Sequence, residues 1–219
     1  TGAVLTDILG PLDYSNRTYT INIDLPSVSP LPSISNNTTT YTAVPIQTNV
    51  ELTVASFNME RFFDNINDPG IGEPVLSATA YTNRLNKVSL AIRNVLRSPD
   101  VIGAIEVEKI EVLQAIAAKV NADAVANGDI NPNYAAYLVE GNDPGGIDVG
   151  FLVKSSRVNV TDVIQYGKTT TYIDPNSGLP DLLNDRPPLV LHASFNQPGC
   201  STPYPFTVIV NHLRSLNGI

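Results

Sequence analysis

From Glu51 onward, compact apolar runs alternate with stretches whose apolar residues recur at helical spacing. "ELTVASF" (51–57) reads as a buried strand. "RLNKVSLAIRNVLRS" (84–98) puts Leu85, Val88, Ile92 and Val95 on one helical face, and Ser98-Pro99 ends it. "VIGAI" (101–105) predicts a second strand. A second amphipathic helix follows in "IEVLQAIAAKVNADAVANG", with Leu113, Ile116, Ala117 and Val120 on its apolar face and Asn127-Gly128 as its stop. Strand, helix, strand, helix with short links predicts a parallel strand pair joined by a right-handed crossover. Strands alone come next, at 134–140, 146–154, 158–166, 188–195 and 206–211. The expected result is one mixed sheet with two helices on one face. Its other face needs a second layer, and little chain remains to supply one.

Residues 1–48 follow a different rule. "GPLDYSNRTYTINID" (10–24) opens as a turn and then alternates Tyr19, Ile21 and Ile23 with polar residues, as a half-exposed strand does. "LPSVSPLPSISNNTTT" (25–40) carries three prolines, which lack a donor and fix φ, so it reads as an extended linker. The expected division is an N-terminal β segment and Pro/Ser/Thr-rich linker over 1–48, and one domain over 49–219. No internal repeat appears at solenoid periods.

Composition narrows the function. Charged residues are 16% of the chain, against roughly 25% in an average soluble domain. The net charge is −8 and no basic stripe is present, which argues against a high-affinity DNA-binding module, since phosphate affinity comes from Lys and Arg. A polyanionic substrate would need a metal ion or a few local arginines. One cysteine, Cys200, rules out an internal disulfide framework and a Cys-rich metal site. No run of about 18 apolar residues exists, so no membrane span is expected. A start at Thr1 without Met or leader reads as a processed chain, and low charge with abundant Thr and Asn suits a secreted or periplasmic bacterial protein. The sequons at Asn16, Asn36, Asn37 and Asn159 would matter only in a eukaryotic secretory pathway.

Candidate chemistry lies at strand ends, where open sheets place their sites. Strand 51–57 presents Asn58 and Glu60, and strand 101–105 presents Glu106 and Glu108. If these strands are parallel neighbours, Asn58 and Glu106 emerge at one edge as a hard-oxygen pair suited to Mg²⁺. Strand 206–211 delivers Asn211 and His212, with Arg214 close behind. "NDRPPL" places Arg186 before a strand, and "GNDPGGID" places Asp148 after a Gly-rich turn. Each residue also has a structural reading. Asn58 can cap a turn, and Glu106 can sit at a helix N-terminus for roughly 0.3–1 kcal/mol. Asp148 can be a turn residue, Arg186 a solvated charge, and His212 and His192 satisfied structural histidines.

The order of the segments is more telling than any one of them. "VASFNMERFFD", "PDVIGAIEVEK", "GGIDVGFLVK", "NDRPPLVLHASF" and "VIVNHLRS" together resemble the endonuclease/exonuclease/phosphatase superfamily, with its DNase I-like fold. The nearest resemblance is to secreted bacterial nucleases, in which a segment like "GPLDYSNRTYTI" precedes the catalytic domain. The resemblance implies an α/β (α+β) four-layer sandwich, of which this chain would hold the first half: a mixed sheet with two covering helices, preceded by the short β segment and linker. It implies metal-dependent phosphodiester hydrolysis, with extracellular nucleic acid as substrate. A phosphatase or lipid phosphodiesterase of the same fold, or a non-catalytic surface domain, are the alternatives. On this pattern Glu106 ligates Mg²⁺ (or Mn²⁺ or Ca²⁺), Asn58 orders metal and phosphate, and His212 contacts the scissile phosphate. Arg186 and Asn211 bind substrate, and Glu60 and Asp148 are further candidates. Ile105 stands where the family often has Gln. The family's Gly-Asp-Phe-Asn and Ser-Asp-His segments are absent from these 219 residues. The uncovered sheet face is therefore expected to meet the rest of the domain or a second copy, and the chain alone is expected to have low activity. Glu106 and His212 should come within about 10 Å, the reach of a shared metal and phosphate.

Overall fold

The computed structural model describes residues 4–15, 18–21, 32–35 and 42–213. The chain forms two compact units, Thr1–Thr42 and Ala43–Ile219. The boundary falls six residues before the expected 48/49. Residues 43–48 belong to the second unit because Val44 N–H donates to Val95 O at 2.9 Å, Arg97 Nε donates to Val44 O at 2.8 Å and Gln47 Nε2 to Arg97 O at 3.3 Å.

In the first unit β1 (Val4–Thr6) pairs antiparallel with β4 (Ser33–Ser35), so part of the expected linker is a short strand. β2 (Leu12–Ser15) and β3 (Thr18–Ile21) make a hairpin in which Tyr14 faces Tyr19, ring centroids 4.5 Å apart. Ile23 and most of the proline-rich stretch lie outside the described residues.

The second unit has three layers. α1 (Ala78–Leu90), extended by a π-type turn at Ala91–Val95, and α2 (Ile110–Ala126) form the first. α1 starts earlier than its apolar periodicity suggests, because Ser77 caps it by accepting from Ala80 N–H at 3.2 Å. The second layer is a mixed sheet of β5 (Val54–Phe62), β6 (Val101–Val107), β8 (Asp148–Lys154) and β7 (Tyr134–Leu138), in that order. β5 and β6 are parallel, as the crossover requires, and β8 runs antiparallel to both β6 and β7. The third layer is an antiparallel sheet, β13 (Tyr204–Val210), β12 (Leu189–Phe195) and β9 (Val158–Gln165). A small hairpin, β10 (Thr171–Ile173) with β11 (Pro180–Leu182), decorates the link between β9 and β12.

This corrects the expectation of a single sheet whose second face has no cover within the chain. The strands after residue 134 divide between two sheets that pack face to face. Ile102, Ala104 and Leu152 meet Ile92, Leu113, Ile116 and Val120 of the helices. On the opposite face Val101, Val149, Phe151 and Val153 meet Leu189, Leu191, Phe195 and Val210. β8 is apolar on both faces because both are buried, the pattern of a strand between two layers. β12 alternates instead: Leu189, Leu191, Ala193 and Phe195 point into the core, while His192 and Ser194 point out.

One end of the sandwich is pinned by Asp100, fully buried just before β6. Its Oδ2 accepts from Thr53 N–H and Thr53 Oγ1, both at 2.9 Å, and its Oδ1 lies 3.1 Å from Arg157 NH1. Asn58, Glu106 and His212 lie at the opposite end.

Candidate active site

At that opposite end β6 breaks register with both of its neighbours. β5 and β6 pair regularly up to Asn58↔Ile105 and resume at Phe62↔Val107, so Met59, Glu60 and Arg61 stand opposite Glu106 alone. On its other side β6 pairs Ile105 with Val149 and Val107 with Asp148, which leaves Glu106 without a partner there too. Glu106, Glu60 and Arg61 have φ of 64°, 55° and 55°, left-handed values that cost a non-glycine residue roughly 1 kcal/mol or more each. Bulges of this kind re-aim a side chain and recur beside functional sites.

The re-aimed side chain is the Glu106 carboxylate. Its Oε2 accepts from Arg61 N–H and its Oε1 from Asn58 Nδ2, both at 2.9 Å. Asn58 Oδ1 accepts from Glu60 N–H at 2.8 Å. Asn58 therefore caps the bulge and holds the carboxylate together. Glu60 takes part through its amide, and its side chain is exposed.

His212 arrives from the second sheet. Gly103 allows the approach: a Cβ there would lie 3.3 Å from Val210 Cγ2, tighter than ordinary contact. Two residues further on, His212 Nε2 lies 3.4 Å from Glu106 Oε1. Burial, reinforced by the Arg186 guanidinium, holds the imidazole below its ordinary pKa, against the opposing pull of Glu106 and Asp143. Near pH 7 it is neutral, so the contact with Glu106 is a polar approach rather than an ion pair. Arg186 is not a solvated charge. Its side chain is 13% exposed and its NH1 sits 3.2 Å from Asp143 Oδ2. Arg186, Asn184, Asn211 and His212 line a cleft of about 260 Å³. Arg186 Nε and His212 Nδ1 are buried there and find no hydrogen-bond partner among the described residues.

Asp148 is not a turn residue. It opens β8, is 5% exposed, and its Oδ1 accepts from Gly141 N–H at 2.6 Å. Burial pushes its pKa up to about 7; the Gly141 N–H opposes this, and the Glu140 and Asp143 charges add to it. Arg214 lies outside the described residues. His192 pairs with Asp162 on the outward face of the second sheet and takes no part.

Sequence reasoning missed Asp143 and Lys109. Asp143 lies in the loop "GNDPGG", where turn chemistry hides any other role. Lys109 Nζ reaches Asp68 at 2.7 Å, Asp64 at 3.2 Å and Glu108 at 3.3 Å, and buried Glu108 also accepts from Asp64 N–H at 2.7 Å. Burial opposes the Lys109 charge, but these hydrogen bonds and carboxylates raise its pKa overall. The cluster latches loop 63–73 to the start of α2. Glu108 is thus a structural anchor beside the site.

Among the described residues no three His, Cys, Asp or Glu side chains gather into a metal cage. Glu106 offers one carboxylate, each oxygen of which accepts a single N–H, with His212 Nε2 3.4 Å from Oε1. Such a set is too sparse for zinc, which takes three or four protein ligands. It fits Mg²⁺, which retains several waters and takes one or two carboxylates. Mn²⁺ suits the same oxygen-rich set.

The sequence profile described as the Endonuclease/Exonuclease/phosphatase family matches residues 53–197. The chain belongs to that family, whose members are generally phosphodiesterases that use divalent metals. Two solved structures are similar. One is the endonuclease/exonuclease/phosphatase from Bacteroides vulgatus, 16% identical with TM-score 0.37, over 59% of this chain and 43% of that one. The other is a family protein from Bacteroides thetaiotaomicron, 14% identical with TM-score 0.38, over 72% of this chain and 48% of that one. The match thus spans less than half the length of either. No curated protein matches the chain.

Proposed function

We propose that this domain takes part in metal-dependent phosphodiester hydrolysis, with extracellular nucleic acid as substrate. The observation that carries the reading is the convergence of three groups at the double bulge. A carboxylate fixed by two N–H donors lies 3.4 Å from a neutral imidazole, beside an arginine with an unused buried N–H. Glu106 would hold the divalent cation, which when bound neutralises charge on the phosphate. Asn58 keeps the carboxylate turned toward His212. Arg186 and neutral His212 supply N–H donors to phosphate oxygens, with Asp143 fixing the guanidinium and Asn211 at the cleft wall.

The lining mixes Leu183, Pro188 and Leu213 with Asn184 and Asn211 beside the arginine, and these amide donors favour a nucleic acid over a lipid as substrate. No second base faces Glu106 among the described residues, so the 219-residue chain is expected to bind cation and phosphate but turn over slowly. Losing a water-activating group costs roughly 10²–10⁴-fold. On the outward face of the second sheet Ile209, Val190 and Ile164 form one cross-strand row, where we expect a further layer to rest.

Mn²⁺ titration followed by electron paramagnetic resonance tests the reading. Glu106→Gln should abolish a site for which Mg²⁺ competes. Equal Mn²⁺ affinity in the wild type and Glu106→Gln would overturn it.

A further inference from the structure

We propose that Arg84, on the α1 face next to β5, is a positioning residue that sets the bulge presenting Asn58 and Glu106. The inference rests on the reading of Glu106 as the cation-holding carboxylate. Arg84 NH1 donates to Arg61 O at 3.0 Å, and NH2 donates to Met59 O at 3.0 Å and Glu60 O at 2.8 Å. These are the three residues opposite Glu106. Their amides do the aiming on the other side: Arg61 N–H holds Glu106 Oε2 and Glu60 N–H holds Asn58 Oδ1.

The arrangement has a physical logic. Two successive left-handed residues turn neighbouring carbonyls to one side, where their dipoles repel and the β ladder cannot serve them. A planar guanidinium with five donors can satisfy three such oxygens at once, which the compact ammonium of lysine cannot match. The plane is itself fixed by stacking on fully buried Phe62, 4.7 Å from Arg84 Cζ to the ring centroid. Without Arg84 the segment 59–61 loses the compensation for its left-handed backbone. Arg61 N–H then drifts from Glu106, and the carboxylate loses one of the two donors that orient it.

Amide hydrogen exchange on the 219-residue chain tests this directly. The Glu60 and Arg61 amides are compared with Val153 and Leu191, core amides of β8 and β12, in wild type, Arg84→Ala and Arg84→Lys. The expected result in Arg84→Ala is about tenfold faster exchange at Glu60 and Arg61, with Val153 and Leu191 unchanged. Mn²⁺ affinity should fall about 10- to 100-fold, as when an orienting group behind a ligand is lost. Guanidinium at a sub-denaturing concentration should restore both, and lysine should restore them only in part. Wild-type protection of Arg61 in Arg84→Ala would overturn the proposal. So would loss of protection spread evenly over all four amides with no rescue, the mark of a merely structural role. If Arg84→Ala does not fold, the same comparison in Arg84→Lys decides. A wild-type chain that binds no Mn²⁺ would refute the proposed function, while exchange at Arg61 would still decide the role of Arg84.

Discussion

Asp148→Asn separates charge from shape at the edge of the site. Burial raises the Asp148 pKa from 3.8 to about 7, so the folded chain holds a proton there that the unfolded chain releases. Between those two pH values the native state binds more protons, and stability must fall as pH rises. The favourable contribution is complete below pH 3.8 and is lost on passing through about pH 7. Three pH units at about 1.4 kcal/mol each set an upper bound of about 4 kcal/mol. Local relaxation reduces this, and about 2 kcal/mol is the working figure. Asparagine removes the titration and keeps an oxygen for the Gly141 N–H. Thermal melts in EDTA at constant ionic strength should therefore show variant and wild type close at pH 4, with the gap opening as pH rises. At pH 8 the variant should melt higher, by about 4–8 °C for a domain of this size. A difference between the two proteins that does not change from pH 4 to 8 would refute the reasoning. Gly141→Ala provides an opposite perturbation. Its Cβ would lie 2.6 Å from Asp148 Oδ1 and 3.0 Å from Pro187, so it should destabilise at every pH.

Other perturbations test the scaffold. Asp100→Ala leaves Arg157 and the Thr53 amide without their buried partner and should cost about 3–5 kcal/mol in denaturant unfolding, while a loss below 1 kcal/mol would contradict the pinning role. Lys109→Met strands buried Glu108 and Asp64, so the melting temperature should drop more at pH 7.5 than at pH 4.5, where carboxylates begin to protonate; an equal drop at both would argue against the latch. Gly103→Val overpacks the approach of Val210 and should cost about 1–3 kcal/mol, and a neutral effect would mean that β13 does not need this close contact. Light scattering on the isolated chain should reveal self-association through the Ile209, Val190 and Ile164 row, and a dilute monomer that unfolds cooperatively would count against a further layer there.

Periodicity carried much of the fold. The Leu113, Ile116, Val120 face of α2 and the parallel pairing of β5 with β6 follow from spacing and short links. What spacing could not decide was which sheet each later strand joins. β8 and β12 are both short apolar runs, and one lies in each sheet. The discriminating signal is faint: β8 is apolar at every position from Val149 to Val153 except Gly150, whereas β12 places His192 and Ser194 on alternate positions. The first pattern marks a strand between two layers, and the second marks a strand with one outward face.

The site shows the same limit in a sharper form. Asn58, Glu106 and His212 could be picked out as strand-end polar groups, but strand ends alone would point Glu106 wherever the pleat dictates. Its actual direction depends on one unpaired residue in β6 and three in β5. No propensity marks these positions, since Met, Glu and Arg are ordinary strand or helix residues and none favours φ near 55°. The local conformation is imposed by tertiary partners distant in sequence: the Glu106 carboxylate on one side of the bulge and the Arg84 guanidinium on the other. A backbone held against its local preference by two charged groups persists only while both remain in place. The carboxylate so held lies 3.4 Å from the His212 imidazole, which lines the cleft together with Arg186, and that makes the strained segment part of the site itself.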